Sequence, residues 1–90
     1  RLSPEISIVP RVIPNPFKSS LKISVEVPES ETILIRLFSV EGQLKTTVHS
    51  DRLDAGNHHF DLTTGDYPAG IYILQVQSSQ ENKVFKVIKN

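Results

Sequence analysis

The chain has 90 residues, enough for one domain, and a domain of this size buries only roughly 60–65% of the surface its unfolded chain exposes, so its stability is marginal. It contains no cysteine, which removes disulfides and thiolate sites from consideration. Ten basic side chains balance ten acidic ones, which argues against a nucleic-acid protein with its clustered positive footprint, and no apolar run approaches the ~20 residues that would cross a bilayer.

The chain opens with no basic-apolar-small signal segment, and it has no methionine. It is therefore expected to be a piece, or a processed product, of a longer protein. A weak strand is expected within residues 6–13. Pro14-Asn15-Pro16-Phe17 follows, where two prolines fix φ near −65° and push Asn15 into an extended state. Leu21, Ile23, Val25 and Val27 alternate with Lys22, Ser24 and Glu26, the pattern of a half-buried strand that ends at Pro28. Residues 32–40 are β-branched and apolar on both parities, interrupted by Arg36 and Ser39, and read as a central strand.

Val40-Glu41-Gly42-Gln43 predicts a hairpin with Gly42 at positive φ. A strand is predicted over residues 44–48, a loop over 50–57, and a strand in which His58, Phe60 and Leu62 alternate with His59 and Asp61. A Gly- and Pro-containing loop leads to strands at 71–77 and 83–88, joined by a polar hairpin loop. The lysines at 83, 86 and 89 recur every third residue, yet Val84, Phe85, Val87 and Ile88 favour a strand over a helix. Seven or so short strands with turn signals between them predict an all-β, antiparallel, immunoglobulin-like sandwich. The Cys–Trp–Cys spacing of antibody domains is missing.

Chemistry finds little purchase here. His58 and His59 are adjacent on a strand and point to opposite faces, so one packed and one solvated histidine are expected rather than a metal pair, and His49 supplies no third ligand of recognisable spacing. Asp51, Asp54 and Asn57 do not match a calcium loop and suit ordinary turn capping. There is no nucleophile elbow and no Gly-rich phosphate loop. No catalytic residue, metal or cofactor is expected, nor any nucleic-acid partner or membrane insertion.

Six segments in order nevertheless stand out: "IPNPF" at 13–17, "VEVPES" at 25–30, "SVEGQL" at 39–44, "LDAGNHHFDL" at 53–62, "YPAGIYILQV" at 67–76 and "KVFKVIKN" at 83–90. Together they resemble the type A C-terminal sorting domain of type IX secretion cargo, from about Val12 to Lys89. Ile13 stands where the family usually has an aromatic, Glu41 and Gln43 where it has apolar and basic residues, and Asn90 where it has a lysine or arginine.

The resemblance implies an address label, residues 11–90, behind a linker, residues 1–10, that contains or follows a cleavage region. The cargo would lie N-terminal to residue 1. The implied partners are an outer-membrane translocon, which reads the folded domain in the periplasm of a Gram-negative bacterium, and a cell-surface sortase-like peptidase, which removes it. The tail Lys83, Val84, Phe85, Lys86, Val87, Ile88 and Lys89 is the expected recognition strand, with its lysines meeting an acidic groove. Pro14, Asn15, Pro16 and Phe17 form a stiff lead-in anchored at the core edge, and Gly70, Ile71 and Tyr72 are fold elements, with Tyr72 inward beside Leu74 and Val76. Two rival readings are an immunoglobulin- or fibronectin-like accessory module, for instance for carbohydrate, and a mid-chain spacer. The first should display several exposed aromatics, and the second should not end its protein.

Overall fold

Alternating apolar and polar residues commit almost the whole chain to strands. The computed structural model describes residues 9–13, 18–79 and 81–90, and the Pro14–Phe17 segment therefore lies outside the described residues. Seven strands form among them: β1 (Val9–Ile13), β2 (Ser20–Val27), β3 (Glu31–Ser39), β4 (Leu44–Leu53), β5 (Gly56–Thr63), β6 (Gly70–Gln77) and β7 (Asn82–Lys89). They make two antiparallel sheets, of order β1-β2-β5 and β4-β3-β6-β7. The expected immunoglobulin-like sandwich is what forms. Its fourth strand lies beside β3 rather than beside β5, so the layers hold three and four strands instead of the four and three of a constant-type domain.

The two sheets meet through their inward rows. Leu21, Ile23, Val25 and Val27 of β2 face Ile33, Ile35 and Leu37 of β3 and Tyr72, Leu74 and Val76 of β6, and all of these are buried. β3 is the central strand the sequence predicts, paired with β4 on one side and β6 on the other. Its outward residues Leu34, Arg36 and Phe38 are themselves half-buried, which explains the lack of clean alternation.

The β3–β4 hairpin closes as expected. Gly42 has φ +94°, its amide donates to the Ser39 carbonyl (2.9 Å), and the Ser39 amide donates to the Gln43 carbonyl (2.8 Å). The Gln43 amide also donates to Ser39 Oγ (3.1 Å), so a serine at the strand end supplies one more turn bond.

One expectation needs correction. The polar stretch predicted as a loop over 50–57 is mostly strand, because β4 runs to Leu53 and β5 begins at Gly56. β4 ends the order of its sheet, and its register on β3 shifts between Ile35 and Arg36 and again between Leu37 and Phe38. Those bulges put both Val48 and His49 near the core and break the period-two signal, so the strand does not look like one in sequence.

Because Ile35 is fully buried at the centre of the larger sheet, Ile35→Ala is expected to lower the unfolding free energy by about 2–5 kcal/mol in urea titration, a large share of the ~5–15 kcal/mol typical of a whole domain. Glu26→Ala, on the outer face of β2, should stay within about 0.5 kcal/mol of wild type.

Candidate functional site

Of the residues singled out in the sequence, Gly70, Ile71 and Tyr72 lie on β6 and the tail from Lys83 to Lys89 on β7, while Pro14, Asn15, Pro16 and Phe17 fall outside the described residues. The pairing runs from Gln77↔Asn82 at the turn to Gly70↔Lys89 at the open end. The Ser78 amide donates to the Glu81 carbonyl (2.8 Å) and the Glu81 amide to Ser78 Oγ (3.0 Å). Ser79 then donates through its amide (3.2 Å) and its hydroxyl (3.0 Å) to Glu31 Oε1, tying the hairpin tip to the start of β3.

On β7 the side chains divide by parity. Lys83, Phe85, Val87 and Lys89 turn toward the other sheet, with Val87 fully buried and Lys89 only 9% exposed. Val84, Lys86 and Ile88 turn outward and are exposed. A lysine every third residue on a strand of period two cannot present one face. The three tail lysines are therefore not brought together. Lys83 instead pairs with Glu81 Oε2 at 3.7 Å, a part-exposed contact worth about 0.2–1 kcal/mol.

At the start of β6, Gly70 has φ +148°, a backbone that favours glycine. Tyr72 is inward and 5% exposed, beside Leu74 and Val76 as expected. Its hydroxyl donates to the Pro68 carbonyl at 2.6 Å, four residues upstream. This is a tyrosine corner at the crossover from the three-stranded to the four-stranded sheet, a hallmark of the immunoglobulin-like sandwich. Ile71, by contrast, points outward opposite Ile88 and is 40% exposed.

The same crossover loop is laced to the start of β2. Thr64 is fully buried; its hydroxyl donates to the Lys18 carbonyl (3.2 Å) and its amide to the Ser19 carbonyl (2.9 Å), while the Tyr67 amide donates back to the Thr64 carbonyl (3.0 Å). Thr64 thus pins the backbone immediately after the Pro14–Phe17 segment. A threonine in a Gly- and Pro-containing loop gives no sequence signal of this, because its partners are main-chain atoms 45 and 46 residues away.

The outward side of the larger sheet holds a second arrangement that sequence reading passes over. Arg36 Nε and Nη2 both donate to Gln75 Oε1 (3.1 and 2.7 Å), and Gln75 Nε2 donates to Asn82 Oδ1 (3.0 Å). The guanidinium also sits over the Phe38 ring, 5.2 Å from its centroid. A polar seam therefore crosses β3, β6 and β7.

The histidines behave as structural residues. His58 is half-buried and His59 exposed, the arrangement the sequence predicts. His49 Nε2 lies 3.1 Å from the Asp51 carbonyl, with its ring 5.0 Å from Phe60, and His58 Nε2 lies 2.7 Å from the Asp54 carbonyl. A carbonyl oxygen only accepts, so both Nε2 atoms are donors in this arrangement. Among the described residues no three His, Asp or Glu side chains converge on a point.

The family described as "Secretion system C-terminal sorting domain" matches residues 11–90. The chain belongs to that family, the sorting domains of type IX secretion. Membership implies a sorting signal that engages the type IX machinery and labels a protein for the cell surface of a Gram-negative bacterium. Comparison with curated proteins gives no match.

Burial raises the pKa of Tyr72 above the ordinary ~10, and the nearby Tyr67 raises it further. As pH rises, the unfolded chain loses this proton first. The corresponding stability is present below pH ~10 and falls above it until the folded tyrosine ionises. Tyr72→Phe should cost about 1 kcal/mol at neutral pH through the lost bond to Pro68, and should flatten the alkaline decline. Thermal melts of both proteins between pH 8 and 11 would measure it.

Proposed function

We propose that this domain is a non-catalytic export address, read as a folded body by an outer-membrane translocon and cut from its cargo at the cell surface by a sortase-like peptidase. The observation that carries this reading is the family match over residues 11–90, joined to a sandwich that closes its own core without any neighbouring domain. The cargo sits N-terminal to residue 1, transit is through the periplasm, and the cut falls in or before residues 1–10. Residues 11–90 then form the sorting body.

The tail and the lead-in have separate duties. β7 completes the four-stranded sheet, so its removal both erases a recognition strand and strips Val87 from the core. Pro14 and Pro16, expected to stiffen the passage from linker to sandwich, fall between β1 and β2, two paired strands of the same sheet, so they stiffen a connection inside the body; the backbone just after it, at Lys18 and Ser19, is held by Thr64. The rival carbohydrate-binding reading finds no support in the described aromatics: Phe38, Phe60, Phe85 and Tyr67 are half-buried and Tyr72 is buried, leaving no open stacking platform among them.

The direct test is a fusion of these ninety residues behind a periplasmic reporter in a type IX-competent host. Surface delivery that is lost in a strain lacking the translocon is expected; a reporter held in the periplasm of the competent strain would end the proposal. In the same assay, Lys86→Glu reverses the exposed tail charge without touching Val87, and should lower delivery while leaving the melting temperature unchanged.

A further inference from the structure

The described outward rows of the two sheets differ in kind. On the three-stranded sheet, β2 and β5 present Lys22, Ser24, Glu26, Asn57, His59 and Asp61, all polar and of mixed sign. On the four-stranded sheet the outward rows carry a cluster of large apolar side chains among polar ones. Leu44 pairs with Phe38, Phe38 with Ile73, and Ile71 with Ile88 across the strands. Among the described residues five large hydrophobics are exposed: Leu44, Ile71, Val84 and Ile88 lie on this face, and Val40 sits in the hairpin turn at its end. Solvated monomers rarely gather exposed apolar side chains in this way unless a partner covers them.

The charges on the strands of this face share one sign. By register, the ionisable side chains pointing outward from its four strands are Arg36, Arg52 and Lys86, although the whole chain is neutral; Glu41 lies beyond them, in the hairpin turn beside Val40. Arg36 is held by the neutral amide of Gln75 and the ring of Phe38, which orients its charge without cancelling it.

We infer that the outer face of the four-stranded sheet, and not the tail alone, is the surface by which this domain docks on a protein of the export machinery, at a patch of apolar side chains bordered by carboxylates. This rests on the sorting reading proposed above. A second copy of the chain fits poorly, because an isologous contact would set Arg36 and Lys86 against like charges. A lipid surface also fits poorly. The Arg36–Gln75–Asn82 seam crosses the middle of the face, and its amides keep directed hydrogen-bonding capacity that acyl chains cannot meet and a protein can. Four strands of eight or so residues offer roughly 500 Å², at ~4.8 Å between strands and ~3.3 Å per residue. That is below the ~800 Å² per partner of a stable complex and suits a contact that must be released after export.

Leu44 makes the decisive probe, because β4 lies at the far edge of the sheet from the tail. In the reporter fusion, Leu44→Glu and Ile71→Glu are expected to cut delivery at least tenfold with unchanged melting temperature, Leu44→Lys to cut it less, and Ser24→Glu on the opposite face to leave it unchanged. Wild-type delivery of Leu44→Glu and Ile71→Glu, beside a defective Lys86→Glu, would overturn the face proposal and leave the sorting reading standing. Failure of the unmodified fusion would sink the sorting reading itself. Dimerisation in sedimentation equilibrium, or binding to phosphatidylglycerol vesicles, that is abolished by Leu44→Glu would also overturn the proposal by showing a different occupant.

Discussion

Two rows of branched aliphatic side chains, one from each sheet, carry the domain. The β2 row from Leu21 to Val27 has nowhere to bury itself except against the β3 and β6 rows, and neither sheet is stable without the other. With no disulfide and ninety residues, this single layer of contact supplies nearly all of the apolar burial. Every other feature is arranged so that strands reach the layer in register: the Gly42 hairpin delivers β4 beside β3, and the Gly70–Tyr72 corner delivers β6 on its other side.

A sorting label has to keep its shape in transit and still part from its cargo, and the tie points of this fold suit both needs. Tyr72 and Thr64 fasten the crossover loop to main-chain carbonyls rather than to other side chains, which fixes the loop without requiring a matched partner residue. Thr64 holds the backbone at the start of β2, just after the proline-rich segment that follows β1. The pairing of β1 with β2 carries the sheet back to Val9, and outward-facing residues are left to be read.

How the strands were legible follows from which faces they bury. β2, β6 and β7 bury one parity and expose or half-expose the other, so their alternation is visible in the residues themselves, and the core row from Leu21 to Val27 with Tyr72, Leu74 and Val76 can be named in advance. β4 was illegible beyond Val48 because it is an edge strand with bulges, and its polar residues 49–52 mimic a loop. The tail lysines, expected to meet an acidic groove, do not share a face, because the strand sends Lys83 and Lys89 inward and Lys86 outward.

Local periodicity, turn glycines and the ordered run of motifs therefore determined by themselves that this is an all-β sandwich of the sorting-domain family, since those signals arise from the backbone geometry of neighbouring residues. Only the tertiary structure decided which strands stand side by side, that Thr64 clasps Lys18 and Ser19, and that Leu44, Phe38, Ile73 and Lys86 form one row across four strands. Side chains separated by dozens of residues become neighbours through sheet register, and register is a property of paired strands that no single stretch of chain contains.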